Sequence, residues 1–152
     1  MDYNRNGDGT FKFAGTWKLV SFNAQDLNGQ TIYPLGKDAL GRLNYEQSGR
    51  MSVQIMNPKR PRFSSSDPLL ASEGEVRAAF GGYLAYYGTY SVNEDEEIMV
   101  HRIEASLLPN WVGTEHARKF DYDGKFLVLK GPLLLGGVQL AVSLVWERLT
   151  LA

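Results

Sequence analysis

Apolar and polar residues alternate through most of this chain, and turn chemistry interrupts them at short intervals. In residues 14–23, Trp17, Leu19 and Ser21 share one face while Lys18, Val20 and Phe22 share the other. That is the two-residue period of a strand. Asp26-Leu27-Asn28-Gly29 supplies a turn, followed by a short strand at Thr31-Ile32-Tyr33 that Pro34 cuts off. Arg42–Glu46 and Met51–Met56 form a hairpin about Gln47-Ser48-Gly49-Arg50. Leu43 and Tyr45 share a face there, as do Met51, Val53 and Ile55. Residues 57–68 read as a loop, and its basic run Lys59-Arg60-Pro61-Arg62 is either a solvated segment or a cradle for an anion. Further strands are expected at 89–92, 98–105, 115–122, 126–130 and 138–149. Pro132 and Gly136-Gly137 fall in the last connection, and the 107–113 loop carries Trp111.

The period changes once. Over 73–87, Val76, Phe80, Tyr83 and Tyr87 recur at helical spacing, Ser72 and Glu75 fit a capping box, and Gly88 fits the C′ position. Gly81-Gly82 inside that helix should cost about 1 kcal/mol each relative to Ala, which points to a kink or a close backbone approach. Eight to ten short strands with one inserted helix, about 73–87, fit an all-β, up-and-down antiparallel barrel. Such closure leaves no edge strand to protect. A β-sandwich fits the strand count too, but the matching first and last strands favour closure. At 152 residues one domain is expected: a flexible polar tail over 1–13, then the barrel over 14–152. The tail's Asp2-x-Asn4-x-Asn6-Gly7 begins like a calcium loop, but Phe13 stands where the bidentate Glu belongs.

Charge and composition exclude more than they assign. Sixteen Lys+Arg against seventeen Asp+Glu give a net charge of −1, so there is no electrostatic reason to expect a nucleic-acid or membrane partner. No cysteine is present, which removes disulfides, thiolate nucleophiles and Cys-based metal sites. No stretch approaches ~20 apolar residues, and no secretory h-region or Asn-x-Ser/Thr sequon is found. A cytoplasmic protein is therefore expected. There is no nucleophile elbow and no phosphate-binding glycine loop.

Strand parity selects the residues that face the interior of such a barrel. Met99, His101, Ile103 and Ala105 oppose Arg102 and Glu104. His116, Arg118, Phe120 and Tyr122 oppose Glu115, Lys119 and Asp121. Leu140, Val142, Leu144 and Trp146 oppose Ser143 and Glu147, while Tyr45 goes with Leu43 and Tyr90 with Val92. Two histidines and an arginine in an apolar lumen have the make-up of a specific small-molecule site. His101 or His116 can act as acid or base near neutral pH, and Arg118 can hold a carboxylate, enolate or phenolate. Tyr45, Tyr83, Tyr90, Met99, Trp111, Phe120, Leu144 and Trp146 are the candidate ligand contacts. The same residues also have structural readings: a hydrogen-bonded core histidine, an arginine paired with a buried acid, a Trp111 packed on the helix rather than lidding the mouth. A metal site would need a third ligand from a carboxylate on the outer face, so no metal and no cofactor are expected.

Gly15-Thr16-Trp17 resembles the G-x-W signature of lipocalins, and Arg148 resembles their last-strand arginine. More closely, the chain resembles the lipocalin-like domains of bacteria and fungi. The matching stretches are Gly15–Phe22, Tyr33–Gly36, Gly41–Leu43, Arg60–Phe63, Phe80–Tyr90, Pro109–Gly113 and Leu144–Arg148. The resemblance implies a calycin-type barrel whose Trp17 closes the floor under Arg148, a cation–π contact of ~0.5–2 kcal/mol. The opening Phe13–Val20 is also similar to fatty-acid-binding proteins. However, Pro34 and Asn28-Gly29 stand where those proteins place a helical pair, and their C-terminal Arg-x-Tyr clamp is missing at Leu144-Val145-Trp146. The expected partner is a small hydrophobic molecule; the sequence leaves the oligomeric state open. The leading expectation is a cofactor-free isomerase or cyclase of natural-product (secondary) metabolism. The alternatives are a lipophilic-ligand carrier without chemistry and, third, a fully packed interaction barrel.

Overall fold

A computed structural model describes residues 10–150. Residues 1–9, which hold most of the expected tail and the start of the calcium-loop-like pattern, lie outside the described residues. The elements are α1 (Thr10–Phe13), β1 (Gly15–Gln25), β2 (Thr31–Ile32), β3 (Leu40–Tyr45), β4 (Arg50–Met56), α2 (Glu73–Gly81), β5 (Tyr83–Asn93), β6 (Ile98–Ser106), β7 (Glu115–Tyr122), β8 (Phe126–Leu135) and β9 (Val138–Arg148). All strand pairs are antiparallel; from β3 to β9 each strand pairs with the next in sequence, β1 pairs with β3 past the short β2, and β1 also closes on β9. Eight strands therefore close a barrel, while β2 adds to the far end of β1 through Ala24 and Gln25.

The floor is built from both ends of the chain. Trp17 pairs in register with Arg148, whose guanidinium lies 4.6 Å from the indole ring centre. Arg148 also donates to the carbonyls of Ala14 (2.9 Å) and Lys12 (2.5 Å), and Trp17 Nε1 donates to Phe13 O at 3.0 Å. Phe13 ends α1 as a buried plug, edge-on to Phe120 and Tyr122 at 5.2 Å each. The expected tail over 1–13 thus ends, in its last four residues, in a helical turn that belongs to the floor.

Bulges correct the parity in two places. The β1–β9 register shifts between Leu19 and Ser21. Trp17 and Leu19 point inward, Val20 is 48% exposed, and Phe22 and Ala24 are buried, so Phe22 rather than Ser21 continues the inner face. The β5–β6 register shifts at Tyr87/Gly88, so that Tyr87 pairs with Ala105 but Gly88 with Ile103. Ala105 is carried to the outer face with Tyr87. One extra residue is enough to swap faces, because the side-chain period is two.

The helix expected over 73–87 is shorter. The capping box is present: Ser72 Oγ accepts from Glu75 N at 3.2 Å, and Glu75 Oε1 accepts from Ser72 N at 3.0 Å. The helix stops at Gly81, with Gly82 as its C-cap, and Tyr83 starts a strand of eleven residues. The glycine pair is the terminator, not a kink. Tyr83 and Tyr87 leave the helix face and project from the outer side of β5; the Tyr83 hydroxyl donates to Gln54 at 2.6 Å, and Tyr87 is 55% exposed. Gly88 is no C′ residue. A Cβ there would stand 1.8 Å from the backbone oxygen of Arg102. Gly88→Ala is accordingly expected to cost about 3 kcal/mol or more in urea unfolding, since backbone must move. A loss under about 1 kcal/mol would show that the bulge yields freely.

Pro132 also lies inside an element, β8, opposite Ala141 of β9. The described β7 ladder stops at Lys119–Lys130, so beyond that point β8 pairs on one side only. A residue without an N–H is tolerated on such an edge. The β8–β9 hairpin therefore projects past the rest of the sheet and carries Leu133, Leu134 and Leu135 to the open end.

Candidate functional site

β6 and β7 bring the two histidines directly opposite one another, His101 against His116, with Arg118 against Met99. All four face inward, as the alternation requires. On the outside of the same ladder Arg102 pairs with Glu115, Nε to Oε1 at 2.8 Å.

His101 is buried and held at both ring nitrogens. Tyr45 Oη lies 2.6 Å from Nε2, and Tyr86 Oη lies 2.7 Å from Nδ1. Burial, followed by the charges of Arg118 and His116, pushes its imidazole down to about 3, so the ring is neutral at physiological pH. Burial raises Tyr86 to about 12, partly opposed by Arg118. Tyr45 is likewise raised, by burial and then by Tyr86 and Tyr90, against the pull of Arg118. The Tyr45 ring packs on Tyr90 at 4.2 Å, and Tyr90 Oη donates to Glu46 O.

Arg118 Nη2 donates to His116 Nδ1 at 3.2 Å. Burial and then this cation lower the His116 imidazole, which leaves it neutral with Nδ1 as acceptor and Nε2 carrying the proton. Burial also lowers the Arg118 guanidinium, opposed by Tyr86 and Tyr45. The arginine runs across Gly131, where a Cβ would stand 2.6 Å from Nη1; a larger residue there would displace the guanidinium. Trp111, in the 3-10 turn Pro109–Trp111, packs edge-on to His116 at 4.8 Å and to Tyr86 at 6.0 Å.

Three spaces meet around this cluster. An inner chamber of about 50 Å³ is bounded by Tyr86, His101, Arg118, Trp146, Leu144 and neighbouring aliphatic side chains. Above it a mostly apolar cavity of about 300 Å³ opens at the barrel mouth, formed by Phe22, Leu35, Phe80, Leu84, Trp111 and the β8–β9 hairpin. A side pocket of about 340 Å³ runs past Asn110, Trp111, His116 and Arg118. Phe22, Leu84, Trp111 and Leu133 border both the chamber and the mouth cavity. A larger concavity, about 470 Å³, lies elsewhere, at the closed end among Lys12, Glu94, Glu97 and Asp121. No group of three His, Cys, Asp or Glu side chains able to hold a metal is present among the described residues.

Residues 14–149 match the lipocalin-like domain. The chain belongs to the lipocalin-like domain family. It is 31% identical over 107 residues, 65% of this chain and 96% of the relative, to the 4'-hydroxy-3'-methoxypropiophenone carrier protein ppsC of Aspergillus oryzae (strain ATCC 42149 / RIB 40). A solved chain titled "The Siderocalin Ex-FABP functions through dual ligand specificities" is matched over 90% of this chain and 69% of that one, at 12% identity and a TM-score of 0.33, too loose a likeness to carry an argument. A barrel of this family fits a small hydrophobic ligand, and no helix among the described residues is long and apolar enough to cross a membrane.

Within the lipocalin-like domain the expected site residues fall into three groups. His101, His116, Arg118, Tyr45, Trp111, Leu144 and Trp146 gather in the middle and upper barrel. Met99 and Tyr90 are packed core, and Phe120 belongs to the floor with Phe13. Tyr83 borders the mouth cavity only from its outer strand face, under Arg60 at 4.9 Å. Tyr86 and Leu84 are absent from the expected contacts because helical spacing claims their segment, and Phe22 is absent because strict alternation along β1 turns it outward. Alternation of Leu84, Tyr86, Gly88 and Tyr90 was the available signal.

Proposed function

We propose that this lipocalin-like domain binds a small, largely apolar molecule at the barrel mouth and holds it unaltered, as a carrier. The observation behind this reading is the mouth cavity of about 300 Å³, large enough for an aromatic guest and walled by aliphatic and aromatic side chains. The state of His101 supports it. Both ring nitrogens are occupied by tyrosine hydroxyls and the ring resists protonation, which makes it a structural hub and a poor proton shuttle. The name of the Aspergillus oryzae relative, a carrier for a phenolic ketone, points the same way and offers 4'-hydroxy-3'-methoxypropiophenone as a first guest to try.

The test is a titration with neutral N-phenyl-1-naphthylamine and with that ketone, read by probe and Trp fluorescence, then mass spectrometry of the recovered ketone. Saturable binding with unaltered ketone is expected. Leu133→Glu, which puts a charge into the mouth, is expected to weaken binding about tenfold. No saturable binding of either compound would overturn the reading. A second reading, a cofactor-free isomerase or cyclase of natural-product metabolism, is favoured by one observation: neutral His116 beside the Arg118 cation on the side pocket, a base next to an oxyanion partner. A changed mass or retention time of the recovered compound, lost in His116→Gln, selects it.

A further inference from the structure

The inner chamber has an imbalance of hydrogen-bond donors and acceptors. Trp146 is 1% exposed and borders the chamber, yet its indole N–H has no acceptor. A buried N–H without a partner costs about 1–3 kcal/mol, so such groups are uncommon unless something else accepts from them. The Tyr45–His101–Tyr86 chain adds a second donor. A neutral imidazole contributes one proton and the two hydroxyls contribute two, but only two hydrogen bonds join the three groups. One hydroxyl proton is therefore left over. Tyr45 is enclosed against Tyr90 away from the chamber, whereas Tyr86 borders it. The arrangement that strands no proton has Tyr45 donating to Nε2, Nδ1–H donating to Tyr86, and the Tyr86 O–H turned into the chamber.

Arg118 is the third donor. It borders both the chamber and the side pocket. It donates to the neutral His116 nitrogen and, weakly, to Ala117 O at 3.4 Å, and no carboxylate stands within ion-pair distance of it among the described residues. Three donors, one of them a cation, thus converge on about 50 Å³, room for one oxygen atom or a small head group and no more. We propose that the chamber is an oxyanion niche: the guest lodges its apolar body in the mouth cavity and places an anionic oxygen, carboxylate or phenolate, between Trp146 Nε1–H, Tyr86 O–H and Arg118. This rests on the mouth cavity being the binding site and adds the chemical class of the guest.

The experiment compares matched pairs at about pH 8: 3-phenylpropionate against 3-phenylpropionamide, and 4-nitrophenolate against 4-nitroanisole. Each displaces N-phenyl-1-naphthylamine from the intact protein. The anion is expected to bind about tenfold or more tightly than its neutral partner in at least one pair, and which pair does so identifies the head group. Arg118→Gln removes that preference. Tyr86→Phe and Trp146→Phe each shrink the ratio of anion to neutral affinity severalfold, with cooperative unfolding confirming that each variant folds. Equal or weaker anion binding in both pairs, or a preference that survives Arg118→Gln, overturns the niche. If the naphthylamine binds while neither pair shows a preference, the niche falls and the apolar mouth stands. If neither the naphthylamine nor the ketone binds, the mouth reading falls and the niche with it.

Discussion

Trp17→Ala is expected to destabilise the protein by about 4 kcal/mol, or roughly 10 °C in melting temperature for a chain of this size. The indole is fully buried, stacks under the Arg148 guanidinium at 4.6 Å, meets Tyr122 edge-on at 6.0 Å and donates to Phe13 O. Its removal leaves a cavity between α1, β1 and β9 and takes away the surface that Arg148 covers. Arg148→Met, which keeps an apolar stem, is expected to lose about 1–2 kcal/mol from its two carbonyl contacts and the cation–π term. The two residues share one interaction, so the double variant should lose less than the sum. Urea unfolding measures all three. A cost below about 1 kcal/mol for Trp17→Ala would mean that Phe13, Phe120 and Tyr122 hold the floor without it. Ligand affinity at the mouth should be unchanged in Arg148→Met, because the floor lies at the other end of the barrel.

Acid is expected to unfold the protein through His101. Its imidazole stands at about 3 in the fold and near 6.5 in the unfolded chain. Between those values the unfolded state binds a proton that the folded state refuses. The contribution is therefore complete above about pH 6.5 and is lost as pH falls towards 3, roughly 2 kcal/mol by pH 5 and at most about 5 kcal/mol in all. The groups that face the ring are Tyr45 from β3, Tyr86 and Tyr90 from β5, and His116 and Arg118 from β7. No carboxylate is among them, so nothing compensates an imidazolium. His116, also lowered, adds a smaller effect of the same sign. The lowered carboxyls of Glu75 and Asp123 lose stabilisation only around and below their ordinary values of 4.5 and 3.8, so the window above pH 5 isolates the histidines. Unfolding free energies at pH 7.5, 6 and 5 test this. His101→Gln should start less stable and show a flatter slope over that window; an identical slope would remove His101 as its cause.

The barrel was readable in the sequence because its cause is local and periodic. Alternation at Trp17/Leu19, Leu43/Tyr45, Met51/Val53/Ile55 and Leu140/Val142/Leu144/Trp146 fixes which face is buried, and the turns between strands need Gly29, Gly49 and Gly124 in left-handed backbone. The capping box was legible for the same reason: Ser72 and Glu75 satisfy each other within one turn. The inward setting of His101, His116 and Arg118 followed from parity alone, on two strands free of bulges up to that point.

What lay beyond the sequence depended on contacts between distant residues. One bulge sits where the first strand passes the last, Leu19 beside β9, the other where Gly88 lies against Arg102 O on the next strand, and no pattern along either strand announces the extra residue. Tyr83 and Tyr87 kept helical spacing from Phe80, yet pairing with β4 and β6 gave the whole segment 83–93 to the sheet, because a barrel with a gap would leave two edges unpaired. The sequence by itself determined a closed antiparallel barrel and the polar residues that point into it. Only the tertiary structure decided that Tyr45 and Tyr86 take up both nitrogens of His101, and that Trp146 and Arg118 are left as donors around a chamber of about 50 Å³. Hydrogen-bond satisfaction in a barrel is a property of side chains from four or five strands at once, and alternation along one strand carries no record of it.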